Sequence, residues 1–300
     1  MNRTATETVI ESELGYLLYL LEDEDQEVYQ NIHDKLVSYG SSILSHLEES
    51  YEKSILDDNE FLEERLLRVL EKINYDAVSQ EFKRWMNSED KDLLQAMILI
   101  AQYQYRDLNE DWIRKNIEEM VNSIDFEISR YNPPLQSVSI INRFLYDTYE
   151  FKPVHNRENA DKHFAINHVL SAKKGVPASI GILYLIIASK LDIPISGIVI
   201  EDNLLLGYFK RHGGWKKRIP KLHFYINPTD KGSIFTSNTL IEHLHEWKVP
   251  FCPSFNKPTC HLQIFKLVLS HLIENYRKAG QNLKMLEMDA WVMEIERHHS

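Results

Sequence analysis

A mainly helical α+β fold is predicted by three features of the 300-residue sequence. Its first 125 residues carry apolar side chains at helical spacing, segment after segment. The stretch GVPASIGILYLIIASKLDIPISGIVI, residues 175–200, runs from an almost wholly apolar helix into an isoleucine-rich alternating segment. Apolar segments at 196–200, 203–209 and 221–227 then follow one another with turn residues between them, as antiparallel strands do. Helices gathered in front of a small antiparallel sheet are the α+β arrangement.

In chain order, residues 7–21 place Val9, Ile10, Leu14, Leu17, Leu18 and Leu21 on one helical face. After the acidic turn at Asp23–Asp25, Val28, Ile32, Leu36 and Val37 mark a second helix that Gly40 ends. Ser41 or Ser42 is a candidate cap for a third, with Ile43, Leu44 and Leu47 inward. Further helices are expected at 60–73, 75–87, 90–105 and 110–123. The string DEDQEVYQNIHDKLVSYGSSILSHL resembles a HEAT-type helical repeat unit, although no strict period is visible and an irregular helical domain fits the same residues. The acidic runs Glu22–Asp25, Glu48–Glu49 and Glu63–Glu64 are ordinary solvated faces on this reading.

The pattern changes after Asn132-Pro133-Pro134. A helix is expected over 138–146, a loop over 149–154 and a helix over 163–170, leading to the central stretch. There Ser179 can cap a helix over 180–191 that should be buried on nearly every side, and Pro194 stops it. CPSFNKP, residues 252–258, is a turn-rich linker. Two closing helices follow, the first with Ile264, Leu267, Val268, His271, Leu272 and Tyr276 on one face. The second should bury Leu283, Leu286, Met288, Val292, Met293 and Ile295. SHLIENYRKAGQNLKMLEMDAWVMEI resembles one TPR-like hairpin, which must dock on the central domain because a lone hairpin cannot hold a core. Three domains are expected: helical, 1–92; the α+β core, 93–250; linker and hairpin, 251–300.

Composition excludes some partners. A net charge of −11 argues against a nucleic acid or an anionic membrane surface. Two cysteines and the lack of an opening apolar segment with a basic flank point to a reducing cytoplasm. A protein partner is the expectation that remains.

The segments LLQAMILIAQYQYRDLNEDWIRKNIEEMV, INRFLYDTYEF, INHVLSAKKGVPASIGILYLIIASKLDIPISGIVI and FYINPTDKGSIF together resemble the SirB-type branch of the transglutaminase-like superfamily, over about residues 93–245. The most specific match is GVPASIGILYLIIASKLDIP, where Gly-x-Pro, Leu-Tyr and Leu-x-Ile-Pro stand in register. The resemblance implies a papain-like core in which a cysteine at the start of the central helix, then a histidine and an aspartate on successive strands, carry acyl transfer. Such a thiol is activated by the helix terminus and the imidazole, and the carboxylate fixes the tautomer. At the matching positions this sequence has Pro177, with Ser179 the nearest hydroxyl, then Asn203 and Asn227. Proline offers no nucleophile and asparagine no base near neutral pH. The resemblance therefore implies a degenerate triad on a retained fold, and a binding or scaffold module rather than an enzyme. The alternative is a hydrolase or acyltransferase that uses Ser179 or Cys260.

Other candidate chemistry is sparse. Cys260 precedes a helix and adjoins His261, but successive helical residues do not face each other. Cys252 and Cys260 lack zinc-ligand spacing, and His243/His245 and His163/His168 are poorly spaced for one helical face, so neither metal nor cofactor is expected. The basic stretch RHGGWKKR makes Trp215 a binding candidate on a hairpin tip, and His223 could reach the old cleft from its strand.

Overall fold

Aspartate and glycine punctuate the N-terminal helices where the apolar spacing breaks. The computed structural model describes residues 5–129, 131–154, 161–210, 220–246 and 248–299. It falls into two compact units, 1–81 and 82–300. In the first, α1 (Ala5–Leu20) is followed by α2 (Gln26–Tyr39), whose N-terminus is capped by the Asp25 carboxylate accepting from the amides of Glu27 and Val28. Gly40 ends α2 at φ +59°. The expected serine cap of the third helix is not made. Gly40–Ile43 form a 3-10 turn, Ser42 donates back to the Tyr39 carbonyl, and α3 (Leu44–Leu56) starts from Ile43 with no side-chain cap. Leu17, Leu21, Leu36, Ile43, Leu47 and Leu70 lie at the centre of this unit's core. Arg65 is buried beside it, donating to the carbonyls of Leu21 and Asp23 and stacking on Tyr29, so its charge is not left unpaired.

Where two helices were expected at 60–73 and 75–87, one helix, α4, runs Glu60–Asn87. Asn74 is a weak helix former, but neither glycine nor proline interrupts the stretch, and apolar positions continue through Val69, Ile73, Val78 and Phe82. The division between the units falls inside this helix.

The second unit opens with α5 (Leu93–Gln104), capped by Asp92, and α6 (Glu110–Asp125), capped by Asn109. Pro134 at the first helical position starts α7 (Pro134–Asn142), which widens into a single π-helical turn over Arg143–Thr148. The expected loop at 149–154 contains a short strand, β1 (Lys152–Pro153). A 3-10 turn at Asp161–Phe164 and α8 (Ile166–Ala172) then lead to β2 (Lys174–Gly175), which pairs with β1 in parallel. The central helix, α9, spans Pro177–Lys190, beginning three residues earlier than expected because proline takes the first helical position. From Ala178 to Ala188 every residue is buried, whereas Ser189 and Lys190 at the end are exposed.

The sheet follows as β3 (Ile195–Ile200), β4 (Asn203–Lys210), β5 (Lys221–Asn227) and β6 (Ser233–Phe235), in the order β3-β4-β5-β6. The three expected strands are adjacent and antiparallel; the three-residue β6 has too few residues to show alternation. Next come α10 (Ser237–Glu246), α11 (His261–Lys278) and α12 (Asn282–His299). One sheet face meets α9 and α11, with Leu185 and Ile264 converging on Gly197. The other carries Ile198, Leu205 and Tyr225 against Leu240 and Leu244 of α10. The outer edge of β3 is covered by Thr259, whose amide donates to the Gly197 carbonyl and whose hydroxyl accepts from the Val199 amide.

The closing hairpin departs from expectation in one respect. Met288, Trp291, Val292 and Ile295 of α12 are buried, Phe82 stacking on Trp291 at 4.7 Å, but Leu283, Leu286 and Met293 point to solvent. A helix covered by neighbours on one side buries one face, and these three lie on the other. The decisive packing element remains α9. Leu183→Ala and Ile187→Ala, both at fully buried sites, should each cost about 2–5 kcal/mol in denaturant melts; neutral outcomes at both would mean that the core is organised elsewhere.

Candidate functional site

The first turns of α9 meet the strand ends of the sheet. Pro177 occupies the first helical position, and Val176 before it supplies no side-chain cap. Ser179, expected as the cap, is instead the third residue of the helix, fully buried, with its hydroxyl donating to the Phe164 carbonyl at 3.3 Å. A Cβ on Gly181 would lie 2.9 Å from Leu204 and 3.3 Å from Pro228. Those are the residues immediately after Asn203 and Asn227, so the start of β4 and the end of β5 both abut the early turns of α9.

The two asparagines do not face this helix in the same way as their neighbours. Asn203 stands directly opposite Ile200 and is exposed. Opposed residues of an antiparallel pair share a face, and Ile200 belongs to the face packed on α10. Leu204 is the β4 residue turned toward α9. Asn227 organises the turn after β5, its side-chain oxygen accepting from the Thr229 amide at 3.0 Å and hydroxyl at 2.7 Å. Its backbone carbonyl accepts from the Gly232 amide.

A buried polar seam adjoins that turn, and sequence reasoning did not single it out. Tyr184, one turn beyond Gly181, donates to Asn142 Oδ1 at 3.0 Å. Asn142 Nδ2 in turn donates to the Gly232 carbonyl at 2.7 Å. Tyr146, from the π turn, donates to the Pro228 carbonyl at 2.9 Å. Desolvation raises both phenols above their ordinary pKa, Tyr184 strongly, so neither is an acid or base near neutral pH. Gly232 is required here: its φ is +70° and a Cβ would fall 2.0 Å from Asn142 Oδ1. The available signal was a phenol inside the apolar run ILYLII and an amide beside Ile141.

The remaining candidates lie elsewhere. His223 is exposed four residues before Asn227, about 13 Å along β5. Its ring rests against Phe224 and Tyr208, at 5.1 and 6.3 Å between centroids. Tyr208 lines a groove of about 840 Å³ at the C-terminal end of α9, together with Lys190, Asp192, Pro194 and Lys210, so His223 does not join the Pro177 end. Trp215 lies outside the described residues. Cys260 is exposed at the N-cap of α11, while His261 turns toward the Lys91 carbonyl at 2.6 Å. Cys252 is also a free, exposed thiol, held below its usual pKa by the Ser254 hydroxyl at 2.9 Å.

One histidine pair departs from expectation. His163 and His168 bring their rings to 4.9 Å. Their spacing disfavours one helical face, but the first lies in a 3-10 turn and the second in α8, so they are not on one helix. Among the described residues, no group of three His, Cys, Asp or Glu could hold a metal ion.

A helix start set against the strand ends of a small antiparallel sheet is the arrangement of the papain-like class. A family description, the transglutaminase-like superfamily core, matches residues 111–269, and the chain belongs to that superfamily. It is also similar to a UPF0162 protein of Buchnera aphidicola from Acyrthosiphon pisum, at 24% identity over 203 residues, covering 68% of this chain and 69% of the relative. A UPF0162 protein of Xylella fastidiosa is 21% identical over 121 residues, 40% of this chain and 43% of the relative. No solved structure matches. Among the described residues no helix is long and apolar enough to cross a membrane.

Two predictions follow from this geometry. Gly232→Ala should destabilise the fold by more than about 1 kcal/mol. Asn142→Ala should do so too, and the double variant should lose less than their sum because removing Asn142 relieves the clash; strict additivity would disprove the contact. His168 has its pKa lowered, by burial first and then by the charge of His163. A depressed histidine is neutral in the fold and protonates first in the unfolded chain. Its stability penalty is therefore absent above the unfolded pKa of about 6.5 and grows as pH falls below it. The melting temperature of His168→Gln should accordingly fall less between pH 7 and pH 5 than that of the wild type.

Proposed function

We propose that this chain is a non-catalytic member of the superfamily, of the SirB-type branch, whose papain-like site has lost its chemistry and which serves as a protein-binding or scaffold module. The observation that carries the reading is the start of α9. Where active members present a cysteine there is Pro177, and Ser179, the nearest hydroxyl along the chain, is fully buried with its proton committed to the Phe164 carbonyl. Asn203 and Asn227 supply no base, and Asn227 is engaged in holding a turn. The seam of Tyr146, Asn142 and Tyr184 is tied into the same turn by polar groups without acid–base capacity near neutral pH. The helices before the core and the hairpin after it are HEAT-like and TPR-like parts on this reading, both suited to holding a protein partner. Two free thiols support a reducing, cytoplasmic location.

A second reading, acyl chemistry at Cys260, has one observation in its favour: an exposed thiol at the N-cap of an 18-residue helix. Peptidase and acyl-transfer assays on wild type, Ser179→Ala and Cys260→Ala decide between them, with a fluorophosphonate probe for serine and iodoacetamide for cysteine. We expect no turnover, no fluorophosphonate labelling, and Cys260 alkylation no faster than in denatured protein. Cys252, with its lowered pKa, will label regardless and is scored separately. Turnover abolished by either substitution would overturn the proposal.

A further inference from the structure

The groove of about 840 Å³ at the C-terminal end of α9 lies at the far end of that helix from Pro177 and has the size of a small-ligand site. One wall is a face of α6, where steps of four and three residues put Glu118, Asn122 and Asp125 in a row. Another wall brings Lys190 from the last turn of α9 and Lys210 from the end of β4. These four charged residues are exposed, and among the described residues neither carboxylate and neither ammonium is held in an ion pair. Asp192, the fifth charged residue in the lining, already has a partner. Ser137 of α7 lines the groove as well. It is only 6% exposed, and its hydroxyl donates to no described residue. A hydroxyl that is nearly buried and bonds nothing in the protein calls for a partner in the groove itself.

Charges of both signs that share one groove without neutralising each other restrict what it takes. A simple anion would meet Glu118 and Asp125, and a simple cation would meet Lys190 and Lys210. A molecule with a cationic end and an anionic end suits both walls. We propose that this groove binds a short peptide with free termini, its ammonium at Glu118 and Asp125 and its carboxylate at Lys190 and Lys210. Val121, Leu191 and Pro194 offer apolar surface for its side chains, and Asn122 and Ser137 can bond its main-chain amides. Both α6 and α9 end at this groove, so their C-terminal dipoles add negative field and make the ammonium the stronger anchor. A free amino acid carries the same two charges but would leave most of a groove this size to water. The inference goes beyond the binding-module reading and uses none of the residues at the Pro177 end. Measured turnover would remove that reading without touching this site, and failure of peptide binding would leave it standing with another surface.

The test is isothermal titration calorimetry of the full-length protein with the tetrapeptide Ala-Leu-Leu-Ala, supplied with free ends, N-acetylated, C-amidated, or capped at both ends. The free peptide should bind with a Kd below about 1 mM. Acetylation should weaken binding at least about tenfold and amidation at least about threefold, as loss of a charge-assisted contact does. In Glu118→Gln with Asp125→Asn the penalty of acetylation should disappear. In Lys190→Gln with Lys210→Gln the penalty of amidation should disappear. All four side chains belong to exposed residues, so the melting temperatures of both double variants should stay at the wild-type value, which separates binding from folding. Equal binding of the free and doubly capped peptides, no binding of the free peptide, or capping penalties that survive in the variants would overturn the proposal. Free leucine binding as tightly as the tetrapeptide would overturn it too, because the groove would then select an amino acid rather than a peptide.

Discussion

The all-round burial of α9 is the constraint on which the second unit depends. A helix with a single apolar stripe needs one neighbour; one that is apolar on every side needs a shell. Here the shell consists of β1–β4 with α5, α6, α8 and α11, all packed against it. Each fully buried leucine or isoleucine contributes about 1.5–3 kcal/mol relative to exposure, so no single neighbour can leave without exposing several such side chains. Gly197 allows the sheet, Leu185 of α9 and Ile264 of α11 to meet closely. The hairpin is bound into the same core through α11 rather than appended to it.

Burial of that extent leaves little room for polar groups, and those present are satisfied specifically. Ser179 and Tyr184 are the polar side chains within the buried part of α9. One bonds the Phe164 carbonyl, and the other reaches Asn142 and, through it, Gly232. With Tyr146 on the Pro228 carbonyl, these bonds fix the β5–β6 turn against α9 more selectively than apolar contact would. The same bonds stand beside the place where a papain-like enzyme assembles its catalytic groups. On the proposed non-catalytic reading, a region that would need a solvated nucleophile and a titrating base instead holds a buried serine and two phenols committed to hydrogen bonds.

Much of this was legible in the sequence because its signals were local. The apolar run from Ile180, the alternation of 193–200, the apolar run within 203–209, and the turn residues between strands each specify an element over a short window. What was missed depends on distant residues or on the precise start of a helix. Pro177 took the first helical position and moved Ser179 from cap to interior. The helix α4 ran through Asn74 because no strong breaker opposed it. His163 and His168 approach because the first lies in a 3-10 turn and the second in the helix after it, which their spacing does not reveal. Asn142 and Gly232, 90 residues apart, announce themselves only once the turn is folded. The exposed face of α12 was likewise hidden, since Leu283, Leu286 and Met293 are indistinguishable by type from core residues.

On the proposed non-catalytic reading, fold and chemistry are separable because they rest on different atoms. The packing of α9 requires apolar volume from Ala178 to Ala188 and a close approach at Gly181, neither of which involves the three positions that matter for acyl transfer. Pro177 serves the helix start as well as cysteine would, since proline is pre-organised for the first helical position. Asn227 serves the turn after β5 by accepting from Thr229, as an aspartate in the same place could. On the proposed reading, substitutions at these sites therefore cost the fold little while removing nucleophile and base. On that reading a superfamily member can lose its chemistry by this route and keep its core, because the residues that fill the core are not the ones that would react.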